Sequence, residues 1–299
     1  MKPTLLILAA GRGSRFGGAK QVAPMGPSGE TIMEYSIYDA LRSGFGNVVL
    51  VINKDVEKDT FELIERMGDV KDKISYAYQD LHTDMIPKET LEGRLKPWGT
   101  AHAIMASESK ITGSFAMINA DDFYGQEAYQ TMSQFLSSHH GDRDFAMVGY
   151  DMINTLSNNG TVSRGVSVSD ENGFLSSIVE THGISEEGGS IYCDTPKGER
   201  AEITEGLASM NFWGFQQCLF KTLNDQFQEF LETTPDLTKD EYLIPTVIDR
   251  LINEGTIHVS VLHSSARWFG VTYKEDTDPV RASIQKQVES GKYPSNLWS

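Results

Sequence analysis

Hydrophobic residues enter this chain as short unbroken runs. TLLILAA (4–10) is apolar almost throughout and stops at a glycine, which predicts a strand buried on both faces. NVVLVIN (47–53) predicts a second such strand. Between them, GETIMEYSIYDALRSG (29–44) has helical spacing. Ile32, Tyr35 and Tyr38–Asp39 bracket the Ala40–Leu41 stripe, and Gly44 ends it. EKDTFELIERMG (57–68) predicts a second helix closed by glycine. ISYAYQ (74–79) and SFAMINA (114–120) predict further strands, with the helical TAHAIMASESK (100–110) between them. Strand and helix alternating in this way predict an α/β fold, a mostly parallel sheet with helices on both faces.

The pattern changes in the second half. TVSRGVSVSDENGFLSSIVE (161–180) alternates apolar and polar residues around Asn172-Gly173, which predicts a hairpin of Val162–Val168 against Phe174–Glu180. GLASMNFWGF (206–215) and TIHVSVLH (256–263) predict two more strands, with helix after the first. His82–Trp98 has no clean period and reads as an inserted loop. Gly183–Arg200 is rich in turn residues and reads as a mobile loop. The expectation is one domain over 1–299: an α/β half (1–150), an added β-rich half sharing its sheet (151–280) and a C-terminal helix or tail (281–299).

Composition narrows the function. The net charge is −16, and a surface this acidic repels nucleic acid and anionic lipid. A small anionic ligand can still sit in a local cationic pocket. The two cysteines, Cys193 and Cys218, form neither a disulfide framework nor a metal motif, which fits a reduced compartment. LLILAA is too short for a secretory segment, and no run reaches membrane-spanning length. A soluble cytoplasmic protein is expected, with neither nucleic-acid nor membrane partners.

The first strand runs into GRGSRFGGAKQ, with four glycines, two arginines and a lysine between Gly11 and Lys20. A dinucleotide fingerprint is excluded, because Phe16 stands where Gly11-x-Gly13 needs its third glycine and no ribose-binding acid follows. A Walker A loop is excluded because Lys20 is not followed by Ser or Thr. A plain glycine-rich turn with solvated cations is the bland alternative. A phosphate loop is favoured over it, because the run follows a buried strand, where α/β folds bind ligands, and carries Arg12, Arg15 and Lys20 together. Glycines let backbone N–H groups close on phosphate oxygens. Arginine offers a planar fork and lysine a point charge.

LAAGRGSRFGGAKQ resembles the signature of sugar-1-phosphate nucleotidyltransferases, the nucleotide-sugar pyrophosphorylases. Ala10, Gly11, Gly13, Arg15 and Lys20 match it position by position. The resemblance implies a Rossmann-like sheet of GT-A type, a triphosphate on Ala10, Gly11 and Gly13, and catalytic roles for Arg15 and Lys20. Gln79 followed by WGTAHA, with Gly99 and Thr100, is similar to the base-reading run of bacterial uridylyltransferases, though His82–Trp98 interrupts it here. A threonine-capped helix start is the structural alternative, and His102 is taken as structural. MINADDFYG resembles the family's metal-binding segment, which implies Asp121 as a Mg²⁺ ligand. An Asx-turn fits Asp122 better. Gly165, Glu180 and Asn211 fall on positions that contact the sugar in the family, although Phe212–Trp213–Gly214 replaces the usual Thr-Gly. Thr272 stands where the family's second metal ligand is an Asn or Asp, and Asp276 is a nearby carboxylate at an unmatched position.

Together these imply transfer of a nucleotidyl group from an NTP, UTP first, to a sugar-1-phosphate, with Mg²⁺ and release of pyrophosphate. A CTP-dependent enzyme acting on an alcohol or polyol phosphate shares the loop and stays open. A glycosyltransferase would carry an Asp-x-Asp motif, which ADD is not. A non-catalytic nucleotide-sensing module is the non-enzyme alternative.

Overall fold

The computed structural model describes residues 1–11, 23–81, 86, 93–138, 141–157, 160–270 and 276–299. The first half alternates as its pattern predicts. It runs β1 (Thr4–Leu8), α1 (Ile32–Arg42), β2 (Asn47–Ile52), α2 (Glu57–Glu65), β3 (Ile74–Tyr78), α3 (Thr100–Met105), β4 (Phe115–Asn119), β5 (Asp122–Phe123), α4 (Gln126–Ser137) and β6 (Asp144–Tyr150). The second half follows as β7 (Val162–Ser169), β8 (Leu175–Glu187), β9 (Ser190–Asp194), β10 (Arg200–Glu202), β11 (Leu207–Phe215), α5 (Leu219–Thr233), α6 (Ile244–Asn253), β12 (His258–Ser264), β13 (Phe269–Gly270) and α7 (Thr277–Glu289).

The strands β3, β2, β1 and β4 lie side by side and parallel. The long strand β11 joins antiparallel to β4 and carries the sheet on through β7, β8, β9 and β10. β6 pairs with β11 and β12. The β-rich half therefore shares the first half's sheet, as expected. The unbroken apolar runs follow from this layering: alternate side chains of β1 and β2 enter different cores. Leu6, Val49 and Val51 pack under α3, α5 and α6, while Leu5, Ile7, Val48 and Leu50 pack under α1 and α4. Each face is covered, so neither set can be polar.

Helix α1 starts later than the glycine that opens its pattern. Thr31 Oγ1 accepts from Glu34 N, and the Glu34 carboxylate accepts from Thr31 N at 2.7 Å. This reciprocal cap fixes the first turn at Ile32. Helix α7 begins at Thr277 rather than 281, and its Val280 and Ile284 join Tyr293 and Leu297 against Tyr35 of α1. No helix among the described residues is long and apolar enough to cross a membrane.

Gly183–Arg200 departs from its expectation as a loop. Strand β8 continues to Glu187 and folds back as β9, with His182 opposite Asp194 and Ser185 opposite Tyr192. The Arg200 guanidinium holds this meander by bonding Asp194 at 2.9 Å and Ser185 Oγ at 2.6 Å. Turn residues there mark tight reversals between paired strands, which local composition does not separate from a loop. The inserted segment before Trp98 lies partly outside the described residues. Its end is anchored at Arg94 and Trp98, both buried, with Leu95 and Lys96 exposed between them.

Candidate active site

Strand β1 lies between β2 and β4, so chain order reverses beside it. The crevice outside the carboxyl ends of such strands is where open α/β sheets bind ligands. The backbone leaves β1 through Ala9, whose N–H donates to Val51 O at 2.8 Å. The next carbonyl, Ala10 O, accepts from Asn53 Nδ2 at 2.7 Å. Asn53 Oδ1 accepts in turn from the backbone N–H groups of Asp55 and Val56. One amide thus ties the start of the glycine loop to the entrance of α2. The sequence reading missed Asn53, although an asparagine directly after a buried strand is a turn signal. Gly13, Arg15 and Lys20, with Arg12, lie outside the described residues. Gly11 is described and exposed.

Gln79 and Gly99, twenty positions apart, meet. Gln79 N donates to Ile52 O at 2.8 Å, and its side-chain Nε2 donates to Gly99 O at 2.9 Å. Gly99 has φ of +107°, and a Cβ there would fall 2.4 Å from Tyr242 O. Tyr242 lies so close because its N–H donates to Trp98 O at 2.7 Å and its carbonyl accepts from Ala101 N at 3.0 Å. Only glycine fits both the conformation and the approach. Thr100 does not cap its own helix: its Oγ1 accepts from Ile244 N at 3.1 Å, at the start of α6. A cavity of about 170 Å³ opens at this edge. Ala10, Asn53, Gln79 and Asp80 line it together with the apolar Leu81 and Pro97. His102 lies in the core, its ring centroid 5.2 Å from that of Phe227, as its structural reading expects.

Asp121 follows β4 at the same edge. Its backbone is fixed from both sides: Ala120 N donates to Leu8 O at 3.2 Å, and Asp122 pairs with Gly270 across β5 and β13. The Asp122 carboxylate accepts from Asn119 Nδ2 at 2.9 Å and from the Tyr124 hydroxyl at 3.3 Å. Its partners include side chains, beyond the local turn expected of it. Among the described residues no group of three or more His, Cys, Asp or Glu is arranged to hold a metal ion. Thr272 lies outside the described residues, and Asp276 precedes α7. A carboxylate on a rigid strand end still suits Mg²⁺, which commonly takes one or two carboxylates and fills its remaining positions with water and substrate phosphates.

The three residues expected at a sugar lie on adjacent strands. Gly165 of β7 sits opposite Glu180 of β8 and opposite Ser209 of β11, two residues before Asn211. Glu180 is exposed. Asn211 has φ of +63°, the only left-handed non-glycine among the described residues, at a bulge where β11 changes register. Beside Gly165, Arg164 was not singled out in the sequence. Its Nη2 donates to Thr155 O at 2.6 Å, and its guanidinium lies 4.8 Å from the Trp268 ring. Burial lowers its pKa, and the charges of Asp122 and Glu180 oppose that shift.

A family model described as nucleotidyl transferase matches residues 4–181. Among curated proteins, the bifunctional protein GlmU of Acetivibrio thermocellus is 24% identical over 253 residues, 84% of this chain and 44% of that one. GlmU of Staphylococcus epidermidis is 23% identical over 263 residues, 85% of this chain and 46% of that one. The chain thus spans somewhat under half the length of the curated relatives it matches. Among solved structures, the inositol-1-phosphate CTP transferase of T. maritima superposes with a TM-score of 0.60 at 12% identity, covering 95% of this chain and 97% of that one. A provisionally assigned glucose-1-phosphate thymidylyltransferase from Bacillus anthracis, in complex with a sucrose, gives 0.62 at 14%, covering 94% and 95%. These two likenesses establish the fold.

Proposed function

This chain belongs to the nucleotidyl transferase family, and we propose that it transfers a uridylyl group from UTP to a sugar-1-phosphate, releasing pyrophosphate. The observation that carries the choice of base is the Gln79–Gly99 hydrogen bond. A carbonyl can only accept, so the side-chain atom facing Gly99 O is the amide nitrogen. That commits the other atom, Oε1, to accepting. An accepting oxygen matches the N3–H of uracil or thymine and mismatches the bare N3 of cytosine.

The sugar-phosphate oxygen attacks the α-phosphorus. The bond from that phosphorus to the bridging oxygen breaks, and pyrophosphate leaves with the electron pair. The attacking oxygen is already anionic, so no general base is required. Catalysis then consists of positioning and charge neutralisation. In this reading Ala10, Gly11 and Gly13 cradle the triphosphate. Arg15 holds the departing pyrophosphate and Lys20 the charge on the α-phosphoryl group. Gln79, Gly99 and Thr100 line the base. Gly165, Glu180 and Asn211 face the sugar. Asp121, with Thr272 as the second candidate, would hold Mg²⁺, which when bound supplies positive charge at the phosphates.

The test is pyrophosphate release with each NTP in turn, Mg²⁺ and a panel of sugar-1-phosphates. Release with UTP or dTTP and one sugar is expected. Lys20→Ala and Asp121→Ala should each lower turnover by about 10²–10³-fold. Release confined to CTP with a polyol or alcohol phosphate would overturn the choice of base. Nucleotide binding without any release would favour the sensing module.

A further inference from the structure

Four side chains at the carboxyl end of β4 form one directional chain of hydrogen bonds. Trp213 Nε1 donates to Asn211 Oδ1 at 3.1 Å. Asn211 Nδ2 donates to Asn119 Oδ1 at 2.8 Å. Asn119 Nδ2 donates to the Asp122 carboxylate at 2.9 Å. The order cannot be reversed. An indole N–H only donates and a carboxylate only accepts, so each amide between them has one allowed orientation. Tyr124 closes the network. Its hydroxyl accepts from Asn119 N at 3.1 Å and shares its proton between Asp122 at 3.3 Å and Met210 O at 3.0 Å. Burial, then the charge of Asp122, raises the Tyr124 pKa far above the usual range, so it remains a donor.

The chain joins two regions that the proposed function keeps apart. Asn211 stands on the sugar side, while Asp122 is the immediate neighbour of Asp121. Asn119 lies between them, in the middle of the relay. We propose that Asn119 is a positioning residue: it fixes the Asp122 carboxylate, and with it the Asp121–Asp122 turn, and couples that turn to Asn211. The inference rests on the reading of Asp121 as the carboxylate for the divalent cation. Mg²⁺ demands near-ideal geometry, and a ligand is held to such geometry by the partners behind it. Asn211 keeps a left-handed backbone, which carries its amide into line with Trp213 and Asn119.

The test is a swap. In Asn119→Asp, residue 119 still accepts from Asn211 Nδ2 but no longer donates to Asp122, and it sets a second carboxylate against the first. In the double variant N119D/D122N, the amide and the carboxylate exchange places, so the bond can form again with its polarity reversed. The readout is Mn²⁺ binding to the full chain with UTP and no sugar phosphate, followed by electron paramagnetic resonance beside the melting temperature. Asn119→Asp should weaken Mn²⁺ binding about tenfold or more, and the double variant should recover most of that loss. A third variant, Asn211→Gly, keeps the left-handed backbone free of strain and removes the amide. It should weaken Mn²⁺ binding, and it should lower the melting temperature as well, because the buried Trp213 indole loses its acceptor.

Binding by Asn119→Asp within about twofold of the original chain overturns the proposal. So does a double variant no better than the single one at a matched melting temperature, or an original chain that binds no Mn²⁺. Pyrophosphate release is scored separately. If Mn²⁺ binding follows the swap while no NTP supports release, the positioning role stands and the proposed reaction falls.

Discussion

His102 and Asp39 are both buried, and they titrate in opposite directions. Burial, then the Arg94 charge, pushes the His102 pKa down from 6.5 to about 4. The unfolded chain therefore takes up that proton first. This contribution to stability is complete above pH 6.5 and is lost as pH falls toward 4. Burial raises Asp39 from 3.8 to about 6, against the hydrogen bond from Tyr293 and the charge of Arg42. Its contribution is complete below about 3.8 and is lost as pH rises through 6. Each shift is about two pH units, worth up to roughly 3 kcal/mol, so the two largely cancel across the window. Separating them exposes each slope. Asp39→Asn should make stability fall more steeply on acidification, and His102→Gln should reverse the trend. Urea unfolding between pH 4.5 and 7.5 measures both, and parallel slopes in all three proteins would refute the assignment. Neither behaviour was legible in the sequence, where an aspartate and a histidine on helices carry no sign of their depth. What the sequence did mark at this scale was Gln79 and Gly99 as separate candidates, without the bond between them. It did not mark Asn53, Asn119 or Arg164, each of which has at least one partner distant in the chain: Ala10, Asn211 and Trp268.

Elements repeat this division. The parallel strands were legible because burial on both faces demands unbroken apolar runs. The meander of β8, β9 and β10 was not, because glycines and charges occur in tight strand reversals as readily as in loops. Among the described residues just before Trp98, Arg94 makes the ties to the rest of the fold. The Arg94 guanidinium donates to the carbonyls of Lys96, Pro97, Leu237 and Asp240, at 2.6–2.9 Å, and lies 3.8 Å from the Trp98 ring. It joins the wall of the cavity beside Gln79 to the stretch that precedes α6. A lysine has a single nitrogen and no planar fork. Arg94→Lys should therefore leave some of these half-buried carbonyls without their donor and cost about 1–2 kcal/mol in denaturant unfolding. It should also raise the KM for the nucleotide more than it lowers kcat, because Leu95 and Pro97 line the cavity. An unchanged nucleotide KM would separate the segment from the site.

At the scale of the molecule, the last residues close over the first helix. Tyr293 donates its hydroxyl to Asp39 at 2.7 Å, Leu297 N to Glu30 at 3.3 Å and Trp298 Nε1 to Glu34 at 2.9 Å. All three carboxylates are buried. Removing residues 291–299 strips these donors from them and uncovers Tyr35. A loss of about 3 kcal/mol or more is expected, or roughly 5 °C or more in Tm for a chain of this size, measured by calorimetry. A Tm within about 2 °C of the full chain would show the tail to be dispensable. By itself the sequence determined the fold class, the order of its early strands and helices, the run of residues at the end of β1 and the family they resemble. These follow from local rules: which faces must be apolar, where glycine is required and which groups bind phosphate. Only the tertiary structure decided that β11 carries the sheet from β4 into the β-rich half, that Gln79 bonds Gly99, and that Asn119 stands between Asn211 and Asp122. Each of those depends on groups far apart in the chain being brought within hydrogen-bonding distance, and burial then sets what a bond there contributes.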